Sequence, residues 1–418
     1  VKILYVSQYY SPEVGAAAAR VSELAGAWVQ SGHEVTVLTA FPQHPVGEKA
    51  PQDRGVFFRR EKDGKVELLR CYIWATPNAG NFKRMFMFLS FALSAAILGR
   101  KAARPDVVVA TSPQLLTGLT GWYLARKFKV PFVFEVRDLW PESIIAVKAM
   151  EENLIIRGLK KLSAFLYCHS RLIVTVGEGY KRRLMELYGV RDKKIFVIPN
   201  GVETKLWKTG PRHNALRRKL GWDNDFVVLY LGTIGMAHAL HRLVQAAGIL
   251  KHRPDIRIVI VGEGAEKKNI RELIKDRGLR NIQVLDSVHK EKVPLYYSAC
   301  DLGVVHLRDT PLFKEVLPSK VFEYLAMERP IISAVGGDTN RLVEDSGGGV
   351  GIEPEDPEQL AKTILKLSRQ RARLTRMGKR GRQYVLRHFN RTVLAEKYVA
   401  KLREISEPGK NSKGQASR

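Results

Sequence analysis

Apolar residues along the chain fall into short continuous runs separated by amphipathic stretches. Lys2–Ser7 reads as a buried strand, and Ala16–Gln30 reads as an amphipathic helix that stops before Gly32. Further strands are expected at Glu34–Thr39, Asp106–Ala110, Pro131–Val136 and Leu172–Val176. Runs rich in Val, Ile and Leu, separated by helices, are the pattern of a parallel sheet covered on both faces. The rhythm then restarts. Phe226–Leu231 ends in Gly232, a helix follows over about Ala239–Leu250, and Ile256–Val261 ends in Gly262. Ile282–Leu285, Leu302–Val305 and Pro330–Ala334 continue the series. Two successive doubly wound α/β units are therefore expected, joined near the turn signals of Ile198-Pro199-Asn200-Gly201-Val202.

One stretch departs from this rhythm. Met85–Leu98 is almost wholly apolar, with Lys83 and Arg84 before it and Arg100 and Lys101 after it. At about 14 residues it is too short to span a bilayer. It is either a core helix or a helix lying in a membrane interface. The Gly, Ser and Lys of residues 406–418 read as a flexible tail.

A length of 418 residues suits two domains of ordinary size. Charge changes the picture more than length does. Sixty-nine Lys and Arg against 42 Asp and Glu give a net charge of +27. From Lys362 to Arg391 there are eleven basic residues and no acid. Such a field attracts nucleic acid, anionic lipid or phosphorylated small molecules. No nucleic-acid-binding motif or aromatic–basic interleaving accompanies it, so a nucleic-acid-binding protein is a remote alternative. Cys71, Cys168 and Cys300 are far apart and odd in number, which gives neither a disulfide framework nor a zinc spacing. Val1–Val6 reads as a strand rather than a secretory signal, so a cytoplasmic location is expected.

Three segments hold candidate chemistry. The turn before the first helix ends in Gly15 and Ala16, small residues that let an anion approach a helix N-terminus. A plain strand-to-helix turn explains them equally well. The second segment, Glu135-Val136-Arg137-Asp138-Leu139-Trp140-Pro141-Glu142, follows a strand at its carboxyl end, where doubly wound sheets bind ligands. There an Arg137–Asp138 ion pair that merely holds the loop is the alternative. The third is Lys314-Glu315-Val316-Leu317-Pro318-Ser319-Lys320-Val321-Phe322-Glu323. In a continuous helix its two glutamates would stand about 80° and about 12 Å apart. Pro318 forbids that and starts a new helix at about Ser319. The free N–H groups of that start, with Ser319 and Lys320, suit a diphosphate. Glu323 can accept from a ribose diol and Glu315 can reach the hydroxyls of a sugar beyond. A Lys320–Glu323 surface pair with an exposed Glu315 is the bland reading.

These residues resemble a retaining glycosyltransferase of family 4. The Glu-x7-Glu motif of that family matches Glu315 and Glu323. Ser11-Pro12-Glu13-Val14-Gly15, Gly32-His33-Glu34-Val35, Val261-Gly262-Glu263-Gly264 and Asp338 to Pro354 match as well. Arg137 to Glu142 and Pro318-Ser319-Lys320 are similar to the L-fucosamine transferase subgroup of bacterial O-antigen and capsule assembly. The resemblance implies the GT-B fold, two Rossmann-like domains facing a cleft. Residues 1–203 would bind the acceptor and 204–385 the nucleotide-sugar. A helix over 386–405 would cross back to the first domain.

It also implies a metal-independent transfer of a hexosyl or N-acetylaminosugar group, with no cofactor. The donor would be a UDP-sugar and the acceptor a glycan or polyprenyl-linked glycan of cell-surface polysaccharide synthesis. The positive charge, taken with a lipid-linked acceptor, leads to the expectation of a peripheral place on the anionic inner face of the cell membrane, with Lys83, Arg84, Arg100 and Lys101 as the membrane or acceptor contact. Glu315, Asp138 and Arg137 would serve catalysis. Gly15, Ala16, Lys314, Ser319, Lys320, Val321, Glu323, Gly232 and Gly262 would bind the nucleotide-sugar. A sugar-nucleotide epimerase or phosphorylase of the same fold is the alternative. The chain departs from the family at Leu231-Gly232-Thr233-Ile234-Gly235, where an Arg and a Lys that clamp the diphosphate are missing; Lys320, Arg308 or Lys314 would have to replace them. It also has Arg137-Asp138 where many members have His-Asp.

Overall fold

The computed structural model describes residues 1–13, 15–43, 47–76, 81–147, 152–204 and 206–407. The expected tail of 406–418 lies almost wholly outside them. The chain forms two units, one of Val1–Ile145, Met150–Pro199 and Thr392–Arg418, the other of Ala146–Ala149 and Asn200–Arg391.

The sheet of the first unit contains β1 (Lys2–Val6), β2 (Glu34–Ala40), β3 (Phe58–Asp63), β4 (Val66–Cys71), β5 (Val107–Thr111), β6 (Phe132–Val136), β7 (Leu172–Thr175) and β8 (Ile195–Val197). Their order is β3-β4-β2-β1-β5-β6-β7-β8. Ile3 stands opposite Val35 on one side and Val107 on the other, both in parallel register. β3 is antiparallel to β4, with Phe58 opposite Cys71 and Asp63 opposite Val66. This hairpin departs from the all-parallel expectation. Its outer strand reads Phe-Arg-Arg-Glu-Lys-Asp, without the apolar run of a buried strand, and charges of this kind keep an edge from pairing further.

The second unit contains β9 (Phe226–Leu231), β10 (Ile256–Val261), β11 (Ile282–Leu285), β12 (Leu302–His306), β13 (Ile331–Ala334) and β14 (Gly349–Gly351). They are ordered β11-β10-β9-β12-β13-β14, with every pairing parallel. Strand order reverses between β9 and β12, so a crevice opens at their carboxyl ends. Apolar clusters cover both faces, one including Val227, Leu229 and Phe322, the other Val228, Tyr230 and Ile332. This is the doubly wound architecture expected for each half.

The helix Arg371–His388 closes the second unit, and the last helix, Arg391–Ser406, begins five residues later than the expected 386. The break lies at Phe389-Asn390, where Asn390 bridges Val202 and the Phe389 carbonyl accepts from the Val202 amide at 2.9 Å. Leu394, Ala395, Tyr398, Val399 and Leu402 of the last helix are buried in the core of the first unit. The Trp28 indole donates to the Ala395 carbonyl at 3.0 Å, and its ring meets Tyr398 edge-on at 5.2 Å. The apolar stretch Met85–Leu98 falls in the helix Asn81–Leu98. It is neither wholly core nor wholly free, because one side is buried and the other open.

Candidate functional site

The second unit assembles its site at the carboxyl ends of β9 and β10. The loop after β9 must pass very close to the loop after β10. A Cβ on Gly262 would lie 1.8 Å from the Gly232 carbonyl oxygen, so glycine is required there. Ile234 donates to the Glu263 carbonyl at 2.8 Å, locking the two loops together.

Pro318 is extended and the helix Ser319–Ala326 starts directly after it. Its geometry leaves the amides of Ser319 and Lys320 without an intrahelical acceptor. Lys320 points from this start toward Gly232. A Cβ on Gly232 would be 2.7 Å from the Lys320 Nζ. The ammonium lies 3.9 Å from the centre of the Tyr230 ring, a cation–π contact. Part of the side chain is exposed, but Nζ is shielded from solvent and has no hydrogen-bond partner among the described residues. Burial pulls its pKa down to about 7, with Glu323 opposing. One helical turn on, burial raises the pKa of Glu323, while a hydrogen bond from the Tyr297 hydroxyl at 2.8 Å and the Lys320 charge hold it down. Neither Lys320 nor Glu323 belongs to a solvated surface pair.

Other expected residues are placed differently. Glu315 ends a short 3-10 turn, Phe313–Glu315, and is half-buried on the approach to this helix. Lys314 turns its ammonium to Asp309 at 2.9 Å and lays its stem against Gly336. Arg308 donates from Nε to the Met236 carbonyl at 2.7 Å. Of the three cations proposed to replace the missing pair, Lys320 is the one whose ammonium meets Gly232. Val321 offers nothing polar to a ligand, because its side chain is core and its amide donates to the Pro318 carbonyl at 3.0 Å.

The first unit gathers a separate set at the carboxyl ends of β1 and β6. Gly15 caps the helix Ala16–Gln30 with φ 143°, and a Cβ there would meet open space. Arg137 donates to the Ala16 carbonyl at 2.9 Å, leaving Nε and Nη1 buried without a hydrogen bond among the described residues. Burial lowers its pKa, with Glu135 opposing. Glu135 itself is fully buried. Burial would raise its pKa, but the charges of Arg20 and Arg137 and a 2.6 Å hydrogen bond from Tyr5 hold it below the usual range. Arg20 grips the same carboxylate at 2.9 and 3.0 Å and donates to the carbonyls of Ile198 and Pro199 at 3.0 Å.

The Arg137–Asp138 loop hangs on Ser112, whose hydroxyl accepts from both amides, at 2.8 and 3.2 Å. Asp138 accepts from the Ser143 hydroxyl at 3.1 Å, and burial raises its pKa. Lys83, Arg84, Arg100 and Lys101 are all exposed at the two ends of the helix Asn81–Leu98. No group of three or more potential metal ligands occurs among the described residues.

Tyr230, Tyr297 and Ser112 escaped the sequence reading. Tyr230 left one signal, a hydroxyl-bearing side chain in an otherwise apolar strand two residues before Gly232. Tyr297 acts from another helix, and no local spacing announces it.

The family model described as Glycosyl transferase 4-like domain matches residues 15–201, and that described as Glycosyl transferases group 1 matches residues 213–384. The chain belongs to the family 4 glycosyltransferases. A putative colanic acid biosynthesis glycosyl transferase, WcaI of Escherichia coli K12, is 26% identical to this glycosyltransferase, covering 96% of the chain and 100% of the relative. Sucrose-phosphate synthase from Thermosynechococcus elongatus superposes with a TM-score of 0.77 at 19% identity, over 96% of this chain and 98% of the other. Anabaena HepE, in complex with UDP and glucose, gives 0.73 at 18% identity, over 96% and 99%. These likenesses establish the GT-B fold of this glycosyltransferase.

Proposed function

We propose that this glycosyltransferase moves a sugar from a UDP-sugar, with retention, to a glycan or polyprenyl-linked acceptor in cell-surface polysaccharide synthesis. The observation that carries the donor site is the shielded Lys320 ammonium beside Gly232 at a helix start. An ammonium so placed is costly by itself and is satisfied by an anion. The diphosphate would lie across the Ser319 and Lys320 amides and the ammonium. Glu323, aimed by Tyr297, would accept from the ribose diol, and Glu315 would hold the hydroxyls of the donor sugar.

As the sugar–phosphate bond breaks, negative charge grows on the leaving diphosphate. Lys320 and the helix start are already oriented toward it, so no reorganisation is needed at that moment. This allows transfer without a metal ion, with the departing phosphate oxygen taking the proton of an acceptor that attacks the same face. In the first unit, the helix start at Gly15 and Ala16 and the Arg137 guanidinium make a set suited to a phosphate group, with Asp138 a helper base. The likeness to a putative colanic acid enzyme and to a UDP-binding fold relative supports the reading.

A thermal-shift panel of nucleoside diphosphates and their sugars tests it, because a ligand of the native state raises the melting temperature by mass action. UDP and a UDP-sugar are expected to stabilise the chain. Glu323→Ala is expected to weaken donor binding chiefly, and Glu315→Ala to lower turnover. Full activity in both variants would overturn the site.

A further inference from the structure

The helix Asn81–Leu98 carries Met85, Phe86, Leu89, Leu93 and Ile97 on one side, each 40–64% exposed. At 100° per residue these five fall within an arc of about 120° and run for about 18 Å. Met87, Phe91, Ala92 and Ala95 on the other side are buried. That inner side is pinned: Ser94 donates to the Tyr72 carbonyl at 2.6 Å, and Thr120 donates to the Ala92 carbonyl at 3.1 Å. The open stripe is therefore a fixed feature, extended at one end by Trp74, itself 45% exposed and edge-on to Phe86 at 6.1 Å.

We propose that this face lies in the interfacial layer of an anionic membrane. Its apolar side chains enter the boundary of the acyl chains, while Lys83 and Arg84 at one end and Arg100 and Lys101 at the other reach lipid phosphates. Charge selects this occupant. Between Glu67 and Asp106 the chain has six Lys and Arg and no acid. A basic-ended apolar helix lying flat is the form that binds an anionic interface. A second copy on the same stripe would bring these cations together between two chains of net charge +27 each. Crossing the bilayer is not the alternative, since no helix among the described residues is long and apolar enough. The inference rests on the transfer reading only for its purpose, access to a lipid-linked acceptor; its test does not use the donor site.

The test is cosedimentation of the full chain with mixed phosphatidylcholine–phosphatidylglycerol vesicles and with pure phosphatidylcholine vesicles. The chain is expected to partition at least about tenfold more strongly onto the mixed vesicles, and to leave them at high salt. The double variant Leu93→Glu/Ile97→Glu is expected to lose about tenfold or more of that binding while keeping the UDP-induced rise in melting temperature, which reports that it is folded. Lys83→Glu/Arg84→Glu is expected to lose binding to the anionic vesicles. The proposal is overturned if Leu93→Glu/Ile97→Glu binds like the parent, if neutral vesicles bind equally well, or if velocity sedimentation shows a dimer that Leu93→Glu dissolves. Vesicle binding without a UDP shift would defeat the transfer reading and leave this one standing; a UDP shift without vesicle binding would do the reverse.

Discussion

A lysine ammonium shut away from water destabilises the chain that carries it until an anion arrives. Lys320 sets up that situation at residue scale, and two consequences follow. Lys320→Met keeps the stem against Tyr230 and removes the charge, so the ligand-free variant is expected to melt higher than the parent. The same change removes a charge-assisted contact of about 1.5–3 kcal/mol, so UDP affinity is expected to fall about 10- to 150-fold. The pH dependence has a definite sign. The pKa of Lys320 in the folded chain is about 7, below that of an unfolded lysine. Between those values the unfolded state holds more protons, so stability from this group rises with pH above about 7. Below 7 both states are charged and the burial cost is fully present. A bound diphosphate favours the charged lysine, so above 7 binding must take up a proton and affinity falls as pH rises. Calorimetry at pH 8 in buffers of different ionisation enthalpy is expected to show uptake approaching one proton in the parent and less in Lys320→Met. A parent whose UDP affinity is flat from pH 7 to 9 would contradict this assignment of Lys320.

At the scale of elements, the site depends on how closely two strand ends approach. The Gly262→Ala methyl would sit 1.8 Å from the Gly232 carbonyl, so the loops must part. The expected cost is about 3 kcal/mol or more, with weaker UDP binding because Gly232 also sets the position of Lys320. Gly26→Ala is the control. Gly26 lies within the helix Ala16–Gln30, a Cβ there meets nothing within 4 Å, and alanine is the better helix former. That change is expected to stabilise by about 0.5–1 kcal/mol in urea unfolding. The strand-end glycines and the Pro318 helix start were legible because glycine and proline act locally on the backbone. β3 was not legible, since a charged edge strand has no apolar period to read. Nor was the side of Met85–Leu98 that faces outward, because a helix apolar on all sides hides its orientation until its neighbours are known. The grip of Tyr297 on Glu323 joins residues 26 positions apart, beyond the reach of any local motif.

For the whole molecule, chain order and structural order part company at the last helix. The first unit is left incomplete by residues 1–199, because Trp28 and its neighbours are covered by Leu394, Ala395, Tyr398, Val399 and Leu402. The second unit closes earlier, with Arg391 donating to the Asn200 and Gly201 carbonyls at 2.9 and 2.8 Å, so the two ends of its long segment are tied to each other. Removing everything after Arg391 therefore damages one unit and spares the other. Losing these buried side chains from one core and baring an indole, at about 1.5–3 kcal/mol for each large aliphatic or aromatic group, is comparable to the whole margin of about 5–15 kcal/mol by which a domain is stable. A chain ending at Arg391 is expected to unfold in two steps, the lower one carrying a red shift of tryptophan emission, while UDP still raises the upper one. A single transition at the parent temperature would show that the last helix is dispensable. Loss of the UDP response together with the lower step would show that the donor site needs more than the second unit.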